Sequence, residues 1–233
     1  MAHLPPTLLV PGLNCSARLY ASQVVSLWSL GTVAVANHSA GETMGEIAAS
    51  ILAAAPQRFA LAGFSMGGYI AFEMLRQAPD RVARLALIDS SARPDTAEQS
   101  ENRRRGMALA KAGKFQAVLD QQFGQVVDPS HAQDAGLRER YMTMARECGP
   151  ELYMRHQQAI IGRVDSRSDL RAIAMPVLVV VGEADKLTPP DTAREMADAI
   201  SGARLVSIAA AGHLTPMEQP DAVNAALRDW LMS

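Results

Sequence analysis

Apolar residues along the 233-residue chain fall into two rhythms that take turns. Short unbroken runs at Thr7 to Val10, Thr32 to Val35, Arg58 to Gly63, Val82 to Asp89, Met175 to Gly182 and Arg204 to Ile208 predict strands. A strand with one wet face alternates apolar and polar. Runs that are apolar at nearly every position predict strands covered on both faces, as in a parallel sheet. Between the runs lie segments with helical spacing. Ala17 to Leu30 has Leu19, Val24, Val25 and Leu27 apolar, and Thr43 to Ala55 opens with Thr43 and Glu46 three residues apart, a capping box. Three more helices are predicted: one after residue 65 that stops before Pro79, Asp191 to Ile200, and Pro220 to Leu231. The alternation predicts an α/β fold, with a mostly parallel central sheet and helices on both faces.

The rhythm breaks between residues 92 and 165, where no strand pattern occurs and Arg, Gln and Met are frequent. Met107, Leu109, Phe115, Val118, Leu119 and Phe123 give Gly106 to Gln125 a helical spacing. Tyr141 to Met144 and Leu152 to Met154 predict the faces of two further short helices. An all-helical insertion after a strand sits over the carboxyl ends of the sheet, where α/β sites form. The division expected is therefore a core of residues 1–91 and 166–233 with a helical lid at 92–165. The competing reading of the insertion is a plain outer layer of helices.

The third apolar run leads into Gly63-Phe64-Ser65-Met66-Gly67-Gly68, and a helical pattern starts at once. This is Gly-x-Ser-x-Gly in a strand–turn–helix setting, which lifts a serine above the sheet on a strained backbone. Three fixed positions match by chance at roughly 3 in 10,000 sites, so the motif needs partners. A serine hydroxyl needs a base to take its proton and a third group to orient that base. Asp185 follows the fifth run in Gly182-Glu183-Ala184-Asp185-Lys186-Leu187-Thr188-Pro189, and His213 follows the sixth in Ala211-Gly212-His213-Leu214. Asp89, also at a strand end, is the rival acid. His3, His38, His131 and His156 compete with His213, but they lie in a tail, a polar loop and the helical insertion.

Composition narrows the picture. With 22 basic and 24 acidic residues the net charge is −2, which offers nucleic acid no general attraction. No apolar run is long enough to span a bilayer, and the N-terminus lacks an export signal, so a cytoplasmic enzyme is expected. Cys15 and Cys148 do not make a disulfide framework, and there is no CxxC or HExxH, so no metal or other cofactor is expected. Arg103-Arg104-Arg105 reads as a solvated run or as a means of steering an anion. The methionines Met107, Met142, Met144 and Met154 suit an adaptable apolar acyl site or ordinary core packing.

The elbow, the Gly-Glu-Ala-Asp-Lys-Leu-Thr-Pro segment and the Gly-His segment, in the order Ser65, Asp185, His213, resemble the α/β-hydrolases over nearly the whole chain. Within that family the chain is most similar to compact single-lid esterases and lactonases. The resemblance implies Ser65 as nucleophile, His213 as general base and then acid, and Asp185 as the residue that orients His213. It implies Met66 N–H and Leu13 N–H as oxyanion donors. Many relatives have a histidine before the glycine of that first loop, where this chain has Pro11, which puts the support of the loop in question. The expected substrate is a small-to-medium ester or lactone, handled by a monomer or small homo-oligomer. The same triad serves C–C hydrolases, lyases and perhydrolases, and a non-catalytic ligand-binding member is the further alternative.

Overall fold

Residues 4–233 are described by a computed structural model, so His3 lies outside the described residues. The strands are β1 (Thr7–Val10), β2 (Val33–Val35), β3 (Phe59–Phe64), β4 (Val82–Ile88), β5 (Val177–Gly182) and β6 (Arg204–Ile208). They form one six-stranded sheet in the order β2-β1-β3-β4-β5-β6, and every pairing is parallel. The chain leaves β1 outward to β2, then returns to place β3 on the other side of β1. At that reversal the ends of β1 and β3 open a crevice, the usual seat of an α/β site.

Strand residues alternate between two cores. Leu8, Leu61, Leu87 and Val179 face a layer made by α2 (Met44–Ala54), α3 (Met66–Gln77) and α7 (Pro190–Ala199). Leu9, Ala62, Ile88 and Val180 face the opposite layer, made by α1 (Ala21–Leu27) and α9 (Pro220–Met232) with Leu27, Leu227 and Trp230. This double cover is why the runs are apolar throughout. Burying one Val or Leu contributes about 1.5–3 kcal/mol, so a polar residue is costly on either face. At the start of α2, Thr43 Oγ1 accepts from Glu46 N at 3.2 Å and Glu46 Oε2 accepts from Thr43 N at 3.3 Å, the expected capping box.

Two helical readings need correction. Ala17 to Leu30 is not one helix: a 3-10 turn (Ala17–Tyr20), α1 and a second 3-10 turn (Trp28–Leu30) share it. Ser16 Oγ accepts from Arg18 N only two residues on, which winds the entry tightly, and Val25 turns out to solvent. Gly106 to Gln125 spans parts of two helices, α4 (Ala97–Lys111) and α5 (Phe115–Val126), parted where Gly113 takes φ 76°. The two short helices further on are the halves of α6 (Ala135–Ile161), kinked at Gly149 (φ 76°). Pro150, which lacks an N–H, follows the kink. Helix α8 (Thr215–Glu218) carries no apolar periodicity that would announce it. No helix among the described residues is long and apolar enough to cross a membrane.

Candidate active site

Ser65 stands at the corner between β3 and α3 with φ 52° and ψ −116°, a strained conformation for a residue with a side chain. The corner is tight because α3 starts directly against the strand ends. A Cβ on Gly67 would lie 2.1 Å from Val10 O, and one on Gly63 would lie 2.3 Å from Gly67 O. Hydrogen bonds brace the turn: Ser65 N donates to Ile88 O at 2.8 Å, and Ser90 Oγ donates to Ser65 O at 2.9 Å. The serine side chain remains half-buried at the floor of a cavity.

His213 arrives from the loop between β6 and α8, and Asp185 from the loop after β5. Ser65 Oγ lies 2.8 Å from His213 Nε2, and His213 Nδ1 lies 2.8 Å from Asp185 Oδ2. Because the carboxylate accepts at Nδ1, the neutral ring carries its proton there and leaves Nε2 free to accept from the serine. Asp185 is itself held. Leu187 N and Thr188 N donate to Oδ1 at 2.8 and 3.1 Å, and Thr188 Oγ1 donates to Oδ2 at 2.8 Å. Burial pushes the Asp185 carboxyl up, but the charge and hydrogen bonds of His213 outweigh it and hold the group below the ordinary carboxylate range. Burial pushes His213 down, yet Asp185 more than offsets it and the imidazole titrates above its ordinary value.

Asp89 sits elsewhere. At the end of β4 it adopts φ 46° and accepts from Gly182 N at 2.9 Å and from Thr215 N and Oγ1. Burial, then the nearby charge of Asp185, raises its carboxyl well above the usual range. It ties β4 to β5 and to α8 and makes no hydrogen bond to His213 among the described residues. Of the two strand-end acids, the structure brings Asp185 to the imidazole.

The loop after β1 reaches the same corner. Neither Leu13 N–H nor Met66 N–H has a protein acceptor among the described residues, and Met66, at the first helical position of α3, has none within the helix. The support that Pro11 leaves in question comes from another loop. His38 Nε2 lies 3.0 Å from Gly12 O, which also accepts from Cys15 N at 3.2 Å. A carbonyl can only accept, so the His38 proton is on Nε2. His156 Nε2 donates in turn to His38 O at 2.9 Å, with the two rings 4.7 Å apart. Burial lowers both imidazoles, His156 to about 4, so both are neutral near pH 7.

The His213 loop is also bonded to the helical insertion. Val126 O at the end of α5 accepts from His213 N at 2.9 Å and Leu214 N at 3.1 Å. Glu218, its side chain buried, accepts from Gly212 N and Leu214 N on one oxygen. Asp128 N and His131 Nδ1 lie against the other oxygen at 2.6 and 3.0 Å. Between insertion and core lies a cavity of about 820 Å³, walled by Ser65, Tyr69 and His213 below and by residues of α4, α5 and α6 above. None of Met107, Met142, Met144 and Met154 lines it; Met142 and Met144 are core residues. Arg103 and Arg105 line the cavity, Arg105 also pairing with Glu101 at its rim, while Arg104 pairs with Glu101 at the surface. Cys15 and Cys148 are both free thiols.

Sequence reasoning missed Thr188, His38 and Glu218. Thr188 had a signal, since a hydroxyl three residues after an acid commonly closes a side-chain turn. The other two act across more than twenty residues of chain or from an unpredicted helix, and no local pattern marks them.

A parallel sheet of this strand order, a serine at the corner after β3 and a histidine after the last strand define the α/β-hydrolase class. The family model described as the alpha/beta hydrolase fold matches residues 42–220, and the chain belongs to that family and is a hydrolase. A pimeloyl-[acyl-carrier protein] methyl ester esterase of Neisseria meningitidis is 30% identical over 173 residues, covering 72% of this chain and 68% of that protein. The solved structure of a thermophilic esterase from Thermogutta terrifontis, with malate bound, is 31% identical, covers 98% of this chain and 89% of its own, and superposes with a TM-score of 0.88. An enol-lactonase from Burkholderia xenovorans reaches a TM-score of 0.87 over 100% of this chain and 94% of its own at 24% identity, a likeness of fold.

Proposed function

We propose that the protein is a serine hydrolase that cleaves small-to-medium carboxylic esters or lactones through an acyl-enzyme on Ser65. The observation that carries this reading is the unbroken relay from Ser65 Oγ to His213 Nε2 and from His213 Nδ1 to Asp185, each link 2.8 Å. Ser65 Oγ attacks the ester carbonyl while His213 Nε2 takes its proton. Asp185 holds the imidazole in that tautomer and stabilises the imidazolium that forms. Met66 N–H and Leu13 N–H point at the developing oxyanion, Leu13 because His38 holds the carbonyl of the same peptide, whose N–H faces the other way in a trans bond. His213 returns the proton to the leaving alcohol, then activates water to free the acid. The helices of residues 92–165 form the lid that bounds the cavity, and the volume suits one small organic molecule. The esterase relatives support the bond type.

The test is a burst of nitrophenol from p-nitrophenyl acetate, expected at one equivalent per chain. In Ser65→Ala both burst and turnover are expected to fall to near background. A variant retaining more than a few per cent of wild-type turnover overturns the assignment.

A further inference from the structure

The cavity wall is chemically lopsided. Among the described residues five cationic side chains line it, Arg93, Arg103, Arg105, Arg163 and Lys186, and no aspartate or glutamate does. Two of the five are matched from outside: Arg93 by Glu195 at 2.8 Å and Asp191 at 3.3 Å, and Arg105 by Glu101 at 3.4 Å. Arg103 and Arg163 are different. They share a single carboxylate, Asp95, with Arg103 Nε at 2.6 Å from one oxygen and Arg163 Nη1 at 2.5 Å from the other. The cluster is well buried, with side-chain exposures of 21%, 7% and 1% for Arg103, Arg163 and Asp95.

Two buried guanidiniums against one carboxylate leave one positive charge without a partner, and buried charge is costly unless matched. The remaining contacts are all neutral. Arg103 Nη1 donates to Gln157 Oε1, Arg163 Nε donates to Arg93 O, and the Arg163 guanidinium lies 4.3 Å from the centre of the Tyr69 ring. Arg163 Nη2 has no acceptor among the described residues. Tyr69 lies four residues past Ser65, one turn along α3, and both line the same cavity as the two guanidiniums.

We propose that Arg103 and Arg163 form a subsite for a carboxylate carried by the substrate, so that half-esters of dicarboxylic acids, or lactones bearing a carboxylate, are preferred to their neutral counterparts. The proposal rests on the reading of Ser65 as nucleophile and deepens it. A planar guanidinium offers a carboxylate paired N–H donors, and the bound anion restores one-to-one charge balance inside the wall. With several methylenes between carboxylate and ester, the ester carbonyl reaches the serine.

The experiment compares kcat/KM for monomethyl and dimethyl esters of the C4 to C10 dicarboxylic acids. In parallel, the melting temperature is read with adipate, adipamide or inorganic phosphate added. The half-ester of the best-fitting length is expected to exceed its diester at least tenfold, and adipate but not adipamide is expected to raise the melting temperature. In Arg163→Gln the half-ester to diester ratio is expected to collapse toward one, with partial recovery in Arg163→Lys. In Arg104→Gln, which changes a surface charge outside the cavity, it is expected to hold. A diester preference in the wild type, a ratio unmoved by Arg163→Gln, or a larger shift with phosphate than with adipate overturns the subsite. The wild-type comparisons decide the matter even if Arg163→Gln fails to fold. If no ester or lactone is turned over while adipate still binds, the hydrolytic reading fails and the subsite stands.

Discussion

Gly67→Ala tests the claim that backbone packing aims the nucleophile. The new Cβ would meet Val10 O at 2.1 Å and Pro11 O at 2.9 Å, both backbone atoms with no side-chain freedom to yield. Contacts below about 3.0 Å are not tolerated, so α3 and the end of β1 must part by about 0.9 Å, the gap between 2.1 and 3.0 Å. That movement separates the Ser65 corner from the Leu13 loop and lengthens the 2.8 Å contact to His213. A misplacement of about 1 Å costs on the order of 100-fold in rate, and overpacking costs about 1–3 kcal/mol. For a chain this size each kcal/mol lowers the melting temperature by about 2–4 °C. The assay is p-nitrophenyl acetate turnover beside a thermal melt. Gly124→Ala makes the same chemical change in α5, where nothing lies within 4 Å of the new methyl. Its helix propensity gain of up to about 1 kcal/mol is expected to raise the melting temperature and leave turnover unchanged. Gly67→Ala turning over within tenfold of wild type would refute the reasoning, as would equal effects at the two glycines.

Two further outcomes follow from the electrostatics and the loop. Because Asp185 holds His213 above its ordinary range and the proposed base must be neutral, kcat/KM is expected to rise with pH through a midpoint above about 6.5. The same raised value adds stability that is fully present below about pH 6.5 and lost as pH rises through the folded value, so activity appears as that stability is given up. Asp185→Asn is expected to move the midpoint down, since burial then dominates; a wild-type midpoint below 6.5 contradicts the linkage. His38→Ala leaves Gly12 O with only the Cys15 N donor, and kcat is expected to fall about tenfold at nearly constant KM, with partial recovery in His38→Gln. A kcat within twofold of wild type in His38→Ala removes His38 from the positioning of that loop.

The six parallel strands and the reach of Ser65, Asp185 and His213 to one corner were legible because each residue follows an apolar run in a parallel sheet, and parallel strands end together; the strand order was not. The serine corner was legible because the tight strand-to-helix turn demands its glycines: Gly63 lies against Gly67 within the turn, and Gly67 lies against the end of β1. Asp89 and Asp185 look alike in sequence, each an acid one to three residues past a strand. What separates them is a long-range choice: Thr215 and Gly182 capture Asp89, while Thr188 presents Asp185 to the imidazole. His38 was set aside as a residue of a polar loop because its bond to Gly12 spans 26 residues and carries no pattern. In the insertion, periodicity located helices and separated the two halves of α6, but missed the break at Gly113, where a positive φ ends a run that side-chain spacing alone would continue.

Residues 126–128 belong to the insertion by sequence and to the base-bearing loop by hydrogen bonding. The insertion is therefore not an interchangeable module. Replacing it wholesale would strip the His213 loop of the backbone contacts that Val126 and Asp128 make to it and to Glu218, while the sheet would stay. α4 and the facing stretch of α6 line the cavity through Arg103, Tyr153 and Gln157 without touching those supports, so side chains there can change while the His213 loop keeps its contacts.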